Sequence, residues 1–368
     1  MRKEPTKVDQ VRLGQKIWAW NLCEQCLHGR ICEKFGCDGK RAKNLTRYWT
    51  FHANAVIDYM SMTGKCLARS FELHETIFRA MGVLQEQPSL AREEVAERAG
   101  VKPAEVDLAV RLMTMIPCSY ETGCFIIMEQ GTNPIFWGPT TRFDQFLEQA
   151  LPTVDTPIKL SAQQASALMA RKLRKKIDFR IRPTNDLREH LRLDRGRRAI
   201  LVFHHTAFLK EHLRLSKVLP PNSSVQDCLR LGAIPRQLAL EYLDSIHKIL
   251  FPLADRTSRR MLNDHIRNHA FDHDIIKFES ASFRNPEERD CGYSYLGKQL
   301  KELLDEVEHP LPRGRVGKFI QRNSDSRHMM LATLAGVAFA ILLGFLSLIV
   351  SSVQAWIAWQ QWKHPVNN

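Results

Sequence analysis

The amino-acid sequence predicts a mostly α-helical cytosolic domain with one or two short β-hairpins, followed by one C-terminal transmembrane helix. Three observations carry that expectation. Met329–Val350 is a run of 22 residues without a charge. As a helix rising about 1.5 Å per residue, it is long enough to cross a hydrocarbon core about 30 Å thick. Elsewhere apolar residues recur at helical spacing: Leu73, Ile77, Met81 and Leu84; Leu238, Tyr242, Ile246 and Ile249; Leu296, Leu300, Leu303 and Val307, the last set ending before Pro310. Strand-like runs are few, 124–128 after the turn-prone Glu121-Thr122-Gly123 and 199–203. With 368 residues, 44% hydrophobic and 25% charged, the chain has room for about two domains; collagen, wholesale disorder and a polytopic transporter are excluded.

The expected organisation is an N-terminal region with a cysteine cluster (1–60), a mostly helical cytosolic domain (61–309), a basic juxtamembrane linker (310–328), the transmembrane helix (329–353) and a short tail (354–368). Orientation follows from the flanks. Arg313, Arg315, Lys318, Arg322 and Arg327 precede the span against the single acid Asp325, and Lys363 alone among Lys, Arg, Asp and Glu follows it. Excess positive charge stays on the cytosolic side, so 1–328 is expected in the cytosol and the protein is expected to be tail-anchored. The opening MRKEPTKVDQVRLGQK has no apolar stretch of the signal-peptide kind, so no competing leader is expected. Trp356, Trp359 and Trp362 are suited to the headgroup boundary. Gly336 and Gly344 do not form a GxxxG pair, so no helix-dimer motif is expected.

Five of the nine cysteines, Cys66, Cys118, Cys124, Cys228 and Cys291, are scattered, as reduced thiols of a cytosolic domain would be. The other four, Cys23, Cys26, Cys32 and Cys37, are spaced C-x2-C-x5-C-x4-C. Four thiolates that close can wrap one tetrahedral Zn²⁺, and Gly29, Gly36 and Gly39 let the loop turn tightly. His28 is an alternative ligand. The spacing matches neither the usual zinc-finger nor the ferredoxin pattern, so plain structural thiols and an iron–sulfur cluster stay open beside zinc.

The formal net charge is +13, and Arg171–Arg198 holds twelve Lys/Arg against four acids, a local +8. A solvated surface, a nucleic-acid patch and a face held against anionic lipid all fit such a segment. The adjacent span adds weight to lipid, with Lys172, Arg174, Lys175 and Lys176 as the expected contacts.

Three motifs compete with structural readings. Residues 89–115 read as two helices joined at Gly100-Val101-Lys102 and followed by a hairpin at 117–129, the order of a winged helix, so 89–129 is winged-helix-like. Glu105 and Asp107 on the would-be recognition helix repel phosphate, so a packing module is expected there rather than a DNA reader. His265, His269 and His273, flanked by Asp264, Asp272 and Asp274, fall at i, i+4 and i+8, where one helix face could hold a divalent metal. Gly292–Lys298 (GYSYLGK) has the G-x4-G-K frame of a phosphate-binding loop. Gln299 stands where Ser or Thr should hold Mg²⁺, and no apolar strand precedes it, so no nucleotide site is expected.

The segments Pro310-Leu311-Pro312-Arg313-Gly314-Arg315, Arg327–Leu334, Gln354-Ala355-Trp356 and Gln360–Val366 resemble the C-terminal part of a group of filamentous-fungal proteins that end in a single-span membrane anchor. The resemblance covers about 60 residues and implies a eukaryotic source, with the endoplasmic reticulum or another endomembrane favoured over the outer mitochondrial membrane. It implies no activity, so no catalytic residue is carried over. The expected function is a non-enzymatic interaction or adaptor protein on a membrane, with an unidentified protein partner and Zn²⁺ as the candidate cofactor. A membrane-tethered metal-dependent enzyme using His265, His269 and His273 is the alternative. A nucleic-acid-binding regulator using 171–198 is a second.

Overall fold

A reciprocal cap starts the first helix: Asp9 N–H donates to Thr6 Oγ1 at 3.2 Å, and the Asp9 carboxylate accepts from Thr6 N–H at 3.0 Å. The computed structural model describes residues 6–30, 35–63, 70–119, 134–220, 223–268, 270–278, 280–288, 292–310 and 328–363. Its α-helices of eight residues or more are α1 (Lys7–Trp18), α2 (Thr46–Met62), α3 (Ser70–Glu86), α4 (Arg92–Ala99), α5 (Pro103–Thr114), α6 (Phe143–Ala150), α7 (Ala170–Ile177), α8 (Thr206–Leu215), α9 (Arg236–Asp244), α10 (Arg256–Arg267), α11 (Gly297–Glu308) and α12 (His328–Lys363).

The chain falls into two units, Met1–His309 and Pro310–Asn368. The boundary expected at 60/61 is not one of them, because α2 runs through it and its Tyr48, Trp49, Ala55 and Tyr59 join the same core as Leu73 and Ile77 of α3 and Phe208 of α8. Burying one aromatic face against both sides of the supposed junction removes the reason for a division. Trp18 meets Tyr48 edge-on at 5.3 Å and Phe208 of α8 at 6.0 Å, which ties the N-terminal region to the middle of the chain. The three apolar stripes all face inward: Leu73, Ile77, Met81 and Leu84 in α3, Leu238 and Tyr242 in α9, and Leu300 and Leu303 in α11 are buried.

Two small sheets complete the unit. β1 (Cys118–Ser119) pairs in parallel with β2 (Ile135–Phe136). β3 (Arg180–Thr184), β4 (Leu193–Asp194) and β5 (Ala199–Phe203) form a sheet of order β3-β5-β4, in which β4–β5 is an antiparallel hairpin and β3 is parallel to β5. The strand expected at 199–203 is thus present as β5. The hairpin expected at 117–129 runs through 120–129, outside the described residues. Among the described residues after α5, Cys118 pairs in parallel with Ile135. The helix pair itself forms, with Gly100 ending α4 in the left-handed region at φ 61°. The acids that argued against DNA are structural. Asp107 accepts two bonds from the Arg92 guanidinium, at 2.7 and 2.6 Å, and Glu105 accepts from Lys102 N–H and the Tyr59 hydroxyl.

In the second unit, α12 has 36 residues, about 54 Å of helix, and so continues beyond any hydrocarbon core about 30 Å thick. Among the described residues the stretch apolar and long enough to cross is Gly336–Gln360, with none of it buried. It overlaps the expected 329–353. The segment after 353, expected as a short tail, is helical as far as Lys363, whose Nζ lies 4.3 Å from the centre of the Trp359 ring.

Candidate metal centre and basic face

The loop from Asn21 to Asp38 is closed at its neck by two bonds: Asp38 N–H to Asn21 O at 3.0 Å, and Asn21 N–H to the Asp38 carboxylate at 2.9 Å. Arg41 bridges Asp38 to the buried Glu211 of α8, and Trp20 Nε1–H donates to the same carboxylate at 2.9 Å, so the neck is fixed to the core. Inside the loop the Sγ atoms of Cys23, Cys26 and Cys37 all lie within 4.8 Å of one another, and Cys26 Sγ is 3.6 Å from Cys37 Sγ. A tetrahedron of sulfurs about 2.3 Å from a zinc ion has edges of about 3.8 Å, so this pair already has the required separation. Cys23 N–H points at Cys37 Sγ at 3.3 Å, a contact that favours a thiolate. Gly39 is required by the approach, since a Cβ there would meet Cys26 Sγ at 2.5 Å. Three of the four expected ligands therefore converge in a geometry that fits zinc. Cys32 lies outside the described residues. His28 is exposed and is not one of the converging ligands.

Protein purified without chelator should carry about one Zn²⁺ per chain, and Cys26→Ser with Cys37→Ser should abolish it, because a closed thiolate site contributes to folding. Elemental analysis reads the result. Metal content near zero in the parent would leave three plain thiols.

The basic segment disperses on folding. Arg171, Arg188, Arg192, Arg195, Arg197 and Arg198 pair with Asp255, Asp186, Glu189, Glu306, Asp194 and Asp178. Lys172 donates to Ser166 Oγ at 2.7 Å and is half-buried. That leaves Arg180 and Arg182 exposed on β3, and Arg174, Lys175 and Lys176 exposed on the outer face of α7, whose Leu173 and Ile177 are buried. Sequence reading missed the other half of this face. α7 packs against α10, and α10 adds the exposed Arg256, Arg259 and Arg260. Their Arg-x2-Arg-Arg spacing was visible, but nothing local showed that 80 residues of chain fold back to place it beside 174–176.

His265 and His273 do not share one helix face. α10 ends at Arg267 with Asn268 as its cap, and the chain reverses so that Ala270 N–H bonds His265 O at 2.9 Å. His265 stacks on Phe271 at 4.9 Å, while His273 opens a separate turn and is exposed. His269 lies outside the described residues. The helix ends at Arg267, and the Asp272 side chain caps the next turn by accepting from Asp274 N–H, so the i, i+4, i+8 spacing has no continuous helix to act on. Other histidines are buried in the core. His190 Nδ1 accepts from Phe203 N–H at 3.1 Å, His204 Nδ1 accepts from Asp272 N–H at 3.1 Å, and Trp18 Nε1–H donates to His212 at 3.2 Å. Burial lowers each of these three imidazoles to about 3.

The GYSYLGK frame does form an anion nest, but the chain fills it. Ser294, Tyr295 and Leu296 N–H groups donate to the Glu241 carboxylate at 2.7, 2.9 and 2.9 Å. Its glycines serve packing: a Cβ on Gly292 would meet Pro157 Cβ at 2.8 Å, and one on Gly297 would meet Val154 Cγ2 at 2.8 Å. Compared with known proteins, the chain matches no family model, no curated protein and no solved structure.

Proposed function

We propose that the protein is a tail-anchored, single-pass membrane protein whose 1–309 unit is a non-enzymatic interaction module, held at the cytosolic face of an endomembrane with the α7–α10 basic face toward anionic lipid. The observation that carries the reading is α12. Val337, Phe339, Ile341, Leu342, Leu343, Phe345, Leu346, Leu348 and Ile349 are all exposed, Phe345 to 70%, and the rest of the circumference carries the small uncharged residues Ala340, Gly344, Ser347 and Ser351. No soluble helix leaves so much apolar surface in water, whereas a bilayer accepts it. The interaction role is supported by the way ionisable groups are used. Buried histidines serve as hydrogen-bond links in the core, and Asp107, Glu241 and Glu211 serve as clamps between helices. The orientation rests on the basic flank at 313–327.

Deleting 329–368 tests both parts. The full chain should stay in the pellet after alkaline carbonate extraction, and the truncated chain should be released from it. At low salt the truncated chain should still co-sediment with phosphatidylserine vesicles and not with neutral ones, since each Lys or Arg near such a surface contributes about 1 kcal/mol. Carbonate-resistant pelleting of the truncated chain would overturn the anchor, and equal binding to neutral vesicles would overturn the lipid face.

A further inference from the structure

A cavity of about 950 Å³ opens between the start of α2 and the stretch of chain from the end of α10 to Lys277. Four cationic side chains line it. Lys43 and Arg47 stand on one side, at the junction of the 3₁₀ helix Asp38–Leu45 with α2; Arg267 from the last turn of α10 and Lys277 stand on the other. Two carboxylates, Asp272 and Asp274, also line it, and both are buried. Asp274 is already neutralised. Lys210, itself 1% exposed, reaches it at 2.6 Å, Lys277 at 3.3 Å, and the Thr206 hydroxyl donates to it at 3.1 Å. The Asp272 carboxylate accepts from Asp274 N–H at 3.3 Å, so it is held against its own loop. Arg47 acts on this end of the cavity: its charge lowers the neighbouring His204 further after burial has done so, and it opposes the upward push of burial on Asp272.

The balance inside the cavity is therefore positive, and it sits in a concave wall where potential is concentrated. Guanidinium and ammonium side chains contributed from both sides of the hollow suit an oxyanion that accepts several hydrogen bonds at once. A flat solvated face would not gather its cations around a hollow. We propose that this cavity binds a phosphate group, carried by a soluble phosphomonoester or by a lipid headgroup, with Lys43, Arg47, Arg267 and Lys277 as its ligands. The two sources share one chemistry. The headgroup is the second source because α10 carries Arg267 at one end and the exposed Arg256, Arg259 and Arg260 of the basic face at the other. The site itself stands apart from the membrane reading, since its geometry lies wholly within the first unit.

The test uses the full chain in neutral detergent micelles, titrated with inorganic phosphate against chloride at constant ionic strength, with binding read by calorimetry. Saturable binding is expected, and Lys43→Gln with Arg267→Gln should weaken it at least tenfold. Both side chains are exposed, so folding should be unaffected, and a thermal melt checks that it is. Lys175→Gln with Lys176→Gln on α7 should leave the affinity unchanged. A second arm compares a soluble inositol phosphate with micelles doped with a phosphoinositide. Tighter binding of the lipid assigns the headgroup and equal affinity assigns a soluble ligand, provided that the 43/267 pair weakens both. Absence of saturable phosphate binding, or binding lost through the 175/176 pair and kept by the 43/267 pair, would overturn the site.

Discussion

Acidifying the protein from pH 7 to pH 5 should unfold the 1–309 unit cooperatively, with near-UV circular dichroism lost between about pH 6 and pH 5. Burial lowers His52, His190, His204 and His212 to about 3 and His247 to about 4, and drives His205 well below its ordinary value. A folded-state pKa below the unfolded one gives stability that is present above the ordinary value of about 6.5 and lost as pH falls toward the folded value. Across that window the unfolded chain takes up a proton at each of these six histidines and the folded chain takes up none. Each costs about 1.4 kcal/mol per pH unit once pH is well below 6.5. Asp272 acts in the opposite sense. Burial pushes it up to about 7, so its contribution grows as pH falls from there toward the ordinary carboxyl value. Six histidines less one carboxyl leave a slope of about 7 kcal/mol per pH unit, comparable with the whole 5–15 kcal/mol stability of a typical domain. Native near-UV signal persisting at pH 4.5 would show that these rings are protonated in place.

The second large effect belongs to Arg236 and Glu288, both side chains 3% exposed. The guanidinium Nε donates to one carboxylate oxygen at 2.6 Å and an Nη to the other at 3.0 Å, and the remaining donors go to the Leu213 and Phe283 carbonyls and the Ser216 hydroxyl. Glu288→Gln leaves a buried cation facing neutral groups only, a change that costs about 3–5 kcal/mol in comparable sites. The melting temperature should fall by about 6–10 °C, taking about 2 °C per kcal/mol for a unit of this size. Arg197→Gln is the contrast, since Arg197 is 73% exposed and 3.9 Å from Asp194; its effect should stay below about 1 kcal/mol. Equal effects from the two substitutions would mean that the buried pair is solvated when the unit breathes.

The contrast between these two pairs shows where the sequence was readable. Helical stripes, the apolar run and the strand at 199–203 depend on near neighbours, and each appears in the structure where it was expected. The cysteine spacing likewise brought Cys23, Cys26 and Cys37 together, because a loop closed at Asn21 and Asp38 keeps them close. What failed depended on distant partners. The local +8 of 171–198 lost two of its charges to acids outside the segment, Asp255 and Glu306, and α10 supplied new ones. His265 and His273 shared a spacing but no helix, since the chain turns back after Asn268 and seats Phe271 between His265 and the distant His204. Arg236 and Glu288 lie 52 positions apart, and neither shows in the sequence that it is buried.

The carboxylate seated in the nest at 294–296 has a consequence for regulation. A loop that waits for a diffusing nucleotide is ordered only while that nucleotide is abundant. Here the occupant is covalently part of the chain, and a tethered group is present at an effective concentration of about millimolar or more whatever the metabolic state. Any free phosphate would have to evict Glu241 and leave its charge without three backbone donors. The junction of α9 with α11 is thereby made constitutive: its order is inherited with the sequence and does not follow cellular energy charge.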